Sequence, residues 1–101
     1  MPPKNLTKNS ILKLLNAHRT DFKQYSVKKL GLFGSYLNGK PKKNSDIDLF
    51  VELEKPTFDN YMELKFLLEG IFSRKIDLVT EGALKPALKY IKKEAAYAEV
   101  A

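Results

Sequence analysis

Apolar and polar residues alternate across positions 46–53: Ile47, Leu49, Val51 and Leu53 take one parity, and Asp46, Asp48, Phe50 and Glu52 the other. A period of two reads as a strand with one buried face. Successive strand side chains point to opposite faces, so Asp46 and Asp48 project together, away from the apolar row. The run Lys75-Ile76-Asp77-Leu78-Val79 repeats the arrangement, with Asp77 facing out between core-facing Ile76 and Leu78. Between these strands Phe58, Tyr61, Met62, Leu64, Leu67, Leu68 and Ile71 recur at near-helical spacing, which predicts a helix over residues 58–72. Strand, helix and strand over this length make a βαβ unit, whose strands run parallel. Three carboxylates then converge on one face.

Upstream, Val27 to Phe33 predicts another strand, weakened by Gly31 and supported by Leu30, Leu32 and Phe33. Gly34-Ser35 follows, and Ser35 to Leu37 is expected to open a short helix that Gly39 stops. Ile11, Leu14, Leu15, His18 and Phe22 fall three or four apart, predicting a first helix capped by Thr7 or Asn9. His18, the only histidine, reads as a boundary residue rather than a catalyst. A last helix is expected from about Leu84, with Pro86 at an early position, to about Ala98. Its stripe is Leu84, Leu88, Ile91 and Ala95, and Tyr90 and Tyr97 read as packing residues. The fold class is α/β (α+β), in the order α-β-α-β-α-β-α, with a small mixed sheet flanked by helices.

The polar positions carry chemistry. Close carboxylates repel and raise each other's pKa, and one or two Mg²⁺ ions, hard cations that prefer oxygen ligands, relieve that repulsion. Solvated strand-end aspartates are the plainer reading of Asp-x-Asp alone; Gly34-Ser35 and Asp77 together shift the balance toward metal. Backbone N–H groups at a helix start, with the Ser35 hydroxyl, suit the terminal phosphates of a nucleotide, and Gly34 permits close backbone approach. Taken alone, the same residues describe a strand-to-turn junction with Ser35 as its cap.

Size and charge narrow the choices. The 101 residues allow one domain, spanning 1–101, and leave no room for a separate acceptor-binding domain. The absence of cysteine excludes a disulfide framework and a cysteine zinc site, and fits a cytoplasmic location. The start, Met1-Pro2-Pro3-Lys4-Asn5-Leu6, lacks a signal peptide's apolar region, and no apolar run is long enough to span a membrane. Eighteen basic and 12 acidic residues give a net charge of +6. The lysines are dispersed over Lys28-Lys29, Lys40 to Lys43 and the last predicted helix, without an arginine–aromatic RNA-binding motif. A solvated lysine-rich surface is preferred over a nucleic-acid-binding one, and it also suits attraction of ATP or an acidic partner.

The run Gly34-Ser35-Tyr36-Leu37-Asn38-Gly39, then Ser45-Asp46-Ile47-Asp48-Leu49, resembles the signature of the minimal nucleotidyltransferases in the DNA polymerase β-like superfamily. The likeness continues through Lys75-Ile76-Asp77-Leu78-Val79 to the tail, Leu84-Lys85-Pro86 through Tyr97, and covers roughly residues 10–98. It implies the nucleotidyltransferase fold, with Asp46, Asp48 and Asp77 as catalytic metal ligands for Mg²⁺, two ions being expected. Gly34 and Ser35 would contact the triphosphate of ATP, with Lys43 and Ser45 completing the nucleotide-binding set. Many relatives carry arginine where this chain has Asn38, and Lys40, Lys42 and Lys43 are the candidates to replace its charge. Short proteins of this kind are commonly antitoxins of HEPN-domain ribonuclease toxins, transferring AMP from ATP to a tyrosine of that partner. The alternative is a non-catalytic antitoxin that neutralises the same partner by binding alone.

Overall fold

The computed structural model describes residues 6–39, 46–80 and 93–98. Two helices, α1 (Lys8–Ala17) and α2 (Arg19–Lys23), precede strand β1 (Val27–Phe33). Then come β2 (Ile47–Leu53), helix α3 (Phe58–Phe72), β3 (Ile76–Thr80) and the two-residue β4 (Ala96–Tyr97). The strands form one sheet in the order β3-β2-β1-β4. β2 and β3 are parallel, whereas β1 runs antiparallel to both β2 and β4. The mixed α/β architecture is the one expected.

Local chemistry accounts for the elements. The Thr7 side chain accepts from the Ser10 amide while the Ser10 hydroxyl accepts from the Thr7 amide, a reciprocal cap for α1. The single helix expected through Phe22 is split at His18, which caps α1 and leads into α2. Thr57 caps α3 by accepting from the Asn60 amide, and Ser73 ends it in the left-handed conformation at φ 49°. The 58–72 helix was legible to the residue.

One sheet face carries the core. Leu30, Leu32, Ile47, Leu49, Val51, Ile76 and Leu78 pack with Ile11, Leu15 and Phe22 from α1–α2, and with Leu64, Leu68 and Phe72 from α3. Each such fully buried side chain contributes about 1.5–3 kcal/mol relative to exposure. With its apolar face satisfied this way, the sheet can present polar groups on the other.

Three further details depart from the sequence reading. The short helix expected from Ser35 is a turn over residues 34–39, in which the Asn38 amide donates to the Gly34 carbonyl. The last helix does not reach Ala98: residues 93–94 are helical, but Ala96–Tyr97 pair with Leu32 and Gly31 of β1. The greater part of that expected helix, residues 84–92, lies outside the described residues. Phe50, of the same parity as the aspartates, is fully buried. Tyr97 meets it edge-on, with ring centroids 6.4 Å apart and planes at 80°.

Gly31 makes that contact possible. A Cβ there would lie 2.9 Å from the Tyr97 ring and 3.1 Å from the Ala95 Cβ. Gly31→Ala is therefore expected to cost about 1–3 kcal/mol by overpacking. Chemical denaturation should show that cost shrinking in a Tyr97→Ala background; an equal cost in both backgrounds would place the strain elsewhere.

Candidate active site

The mixed strand order gathers the candidate residues at one end of the sheet. Because β1 is antiparallel to β2, its last residues adjoin the first residues of β2; β3, parallel to β2, begins at the same end. In register, Phe33 pairs with Asp48, and Asp48 pairs with Asp77. The turn that leaves β1 after Phe33 contains Gly34 and Ser35. Asp46 immediately precedes β2 and is exposed.

Asp48 is the centre of this arrangement. Its pKa is pushed up from an ordinary 3.8 to about 6, first by burial and then by the charge of Asp77. A hydrogen bond to the Asp77 side chain and the charge of Asp46 push the same way, while the Ser35 backbone N–H donates to Asp48 and opposes them. Two carboxyl groups can hydrogen-bond only when one carries a proton, and the raised pKa of Asp48 favours its protonated form. Asp77 is exposed and open to solvent.

Gly34 adopts φ +76°, where L side chains are strained, and a Cβ on it would overlap the Asp48 carboxylate. The glycine therefore makes room for an aspartate, a role the sequence reading had given to phosphate approach. Ser35 likewise commits its amide to Asp48. No local pattern signals either contact, because both join residues brought together only by β1–β2 pairing.

Lys43 and Ser45, expected in the nucleotide-binding set, lie outside the described residues, as do Lys40 and Lys42. Asn38 is exposed. Among the described residues, no three acidic or histidine side chains are already gathered as around a bound ion. Asp48 and Asp77 are together, with Asp46 acting on Asp48 more weakly. Sequence reasoning placed Tyr61 only in the apolar stripe of α3, yet its hydroxyl donates to the Leu78 carbonyl at 2.6 Å. Nothing in the spacing of the chain announces that bond.

Comparison with known proteins decides what this geometry belongs to. The family described as "Nucleotidyltransferase domain" matches residues 13–98. The chain belongs to the nucleotidyltransferase family. It is similar to the protein adenylyltransferase MntA of Thermococcus cleftensis, at 34% identity over 95 residues, 91% of this chain and 96% of that one. A Methanocaldococcus jannaschii protein named as a protein adenylyltransferase is 39% identical over 80 residues, covering 77% of this chain and 93% of its own. Among solved structures, one named as a minimal nucleotidyltransferase superposes with a TM-score of 0.71 at 28% identity, over 92% of this chain and 97% of that one. A toxin–antitoxin crystal structure with AMP-PNP gives a TM-score of 0.65 at 26% identity, over 91% of this chain and 72% of its own. The protein is thus a nucleotidyltransferase, a member of a family that generally uses ATP and a divalent metal.

The crowding of Asp48 sets the sign of a pH effect. A folded-state pKa raised above the unfolded value favours the protonated form, so stability is full below about pH 4 and declines as pH rises through about 6. Thermal melts in EDTA should show that decline, and Asp48→Asn should flatten it and melt higher at pH 7.5. An undiminished slope in the variant would assign the effect to other groups. Gly34→Ala should lower the melting temperature, and adding Asp48→Ala should recover part of the loss, since the overlapping carboxylate is gone.

Proposed function

We propose that this nucleotidyltransferase is an antitoxin that transfers AMP from ATP to a tyrosine of a partner HEPN-domain ribonuclease, and so inactivates it. The observation that carries the reading is the in-register Asp48–Asp77 pair set against the Gly34–Ser35 turn. A relative named protein adenylyltransferase and the toxin–antitoxin structure with AMP-PNP support the nucleotide and the kind of partner. A reaction that consumes ATP and silences a ribonuclease is expected in the cytoplasm. Among the described residues no helix is long and apolar enough to cross a membrane.

The donor set fits a hard divalent cation. Asp48 and Asp77 stand opposite each other in register and the charge of Asp77 opposes that of Asp48, a repulsion that a cation bound between them would offset. Asp46, Asp48 and Asp77 would hold Mg²⁺, which when bound offsets the charge that develops on the reacting phosphate. The Ser35 hydroxyl would meet the terminal phosphates of ATP; Lys43 and Ser45, expected from the sequence in the same set, lie outside the described residues.

In the proposed reaction the tyrosine oxygen attacks the α-phosphorus of ATP. A bond forms between that oxygen and phosphorus, the bond to the β-phosphate bridging oxygen breaks, and pyrophosphate leaves. Asp77, exposed on what is the edge strand among the described residues, takes the phenolic proton. The protein's contribution is placement and charge neutralisation rather than covalent chemistry.

Incubation of the purified pair with α-labelled ATP tests the reading. Label should appear on the partner's tyrosine while its ribonuclease activity falls, and Asp77→Asn should block both. Protection that survives Asp46→Asn with Asp48→Asn would favour neutralisation by binding alone. Label on added RNA, with none on the partner, would remove the antitoxin assignment.

A further inference from the structure

Tyr61 lies in the first turn of α3, where its amide donates to the Thr57 carbonyl at 3.0 Å. Its hydroxyl reaches across to β3 and donates to the Leu78 carbonyl at 2.6 Å, at the short end for such bonds. Leu78 directly follows Asp77. Among the described residues β3 is an edge strand, hydrogen-bonded on one side only, to β2. It is also the strand that repulsion between Asp48 and Asp77 would drive outward, because like charges directly opposite on neighbouring strands oppose the pairing.

We propose that Tyr61 is a positioning residue for nucleotidyl transfer: its hydroxyl ties β3 to α3 and holds the Asp77 carboxylate beside Asp48. The inference rests on the reading of Asp77 as part of the transfer site. The energetic scale is right, since one hydrogen bond and one opposed like-charge pair on a sheet are of comparable size. The donor is also dependable: burial and the nearby Asp77 charge both push the phenol's pKa up, so it keeps its proton. Donor and acceptor stand 17 positions apart in the chain, a span that includes most of α3, so the bond closes the helix-to-strand connection onto the site.

Tyr61→Phe in the full chain removes the hydroxyl and keeps the ring. Thr57→Ala serves as a control, because it loosens the same helix by removing the cap on the Asn60 amide and leaves the Tyr61 hydroxyl in place. Tyr61→Phe should speed amide exchange at residues 77–79, and should weaken Mn²⁺ binding and lower kcat toward the partner by about tenfold, the upper scale of one hydrogen bond. The KM for ATP should stay within about twofold, as expected when placement of the reacting groups rather than uniform binding is lost. Thr57→Ala should leave Mn²⁺ binding unchanged. Mn²⁺ affinity equal to wild type in Tyr61→Phe, or the same losses in Thr57→Ala, would reduce Tyr61 to a structural contact. A wild-type protein that binds no Mn²⁺ would overturn both this inference and the metal-dependent reading above. Wild type that binds Mn²⁺ tightly but labels no partner would sink only the proposed acceptor, leaving the Mn²⁺ and exchange comparison to decide the role of Tyr61.

Discussion

The parallel pairing of β2 with β3 is the constraint on which the rest of this molecule depends. It sets Asp48 opposite Asp77 and begins both strands at the same end of the sheet. Such a pair is unfavourable by itself, since the two carboxylates repel each other and Asp48, which is partly buried, also loses hydration. The opposite face, filled by Leu30, Leu32, Ile47, Leu49, Val51 and residues of three helices, supplies the burial that offsets it. The fold keeps two groups of like charge together by satisfying everything around them.

The turn after β1 is the second half of that arrangement. Antiparallel pairing delivers Gly34 and Ser35 to Asp48, and the two then act on it in different ways. Gly34, at positive φ and without a Cβ, leaves the space that the carboxylate enters. The Ser35 amide donates to the same group and lowers the cost of its negative charge. A glycine-serine pair commonly read as a phosphate cradle is here a socket for an aspartate. The proposed phosphate contact is compatible with that role, because a carboxylate fixed by the turn would be pre-placed for a cation shared with the nucleotide.

The same sheet face is not uniformly polar. Two residues along β2 from Asp48, Phe50 is fully buried against Tyr97, which crosses Gly31 from β4. Beside the charged row there is thus an aromatic contact that depends on a glycine in the centre of the sheet. Burial at Phe50 keeps β1, β2 and β4 in register without borrowing from the helix-covered core, which leaves the acidic end free of packing duties.

Much of this was legible before folding was considered. The alternation at residues 46–53 announced a strand with outward aspartates, and the apolar spacing over 58–72 announced α3. The strand–helix–strand order implied that Asp48 and Asp77 share a face, because side-chain period and chain connectivity are local properties. Local pattern could not say that Phe50 is buried, since the Tyr97 ring that packs on it comes nearly fifty residues later. Nor could it turn the end of the expected last helix into β4, because that strand exists only by pairing with β1. The reason Gly34 must be glycine, the partner of the Ser35 amide and the bond from Tyr61 to Leu78 were likewise settled in three dimensions. Each joins groups far apart in the chain, and period or propensity carries no record of such meetings. The sequence by itself determined which residues bear charge and which way each strand presents them; tertiary structure decided how close those charges stand and what holds them there.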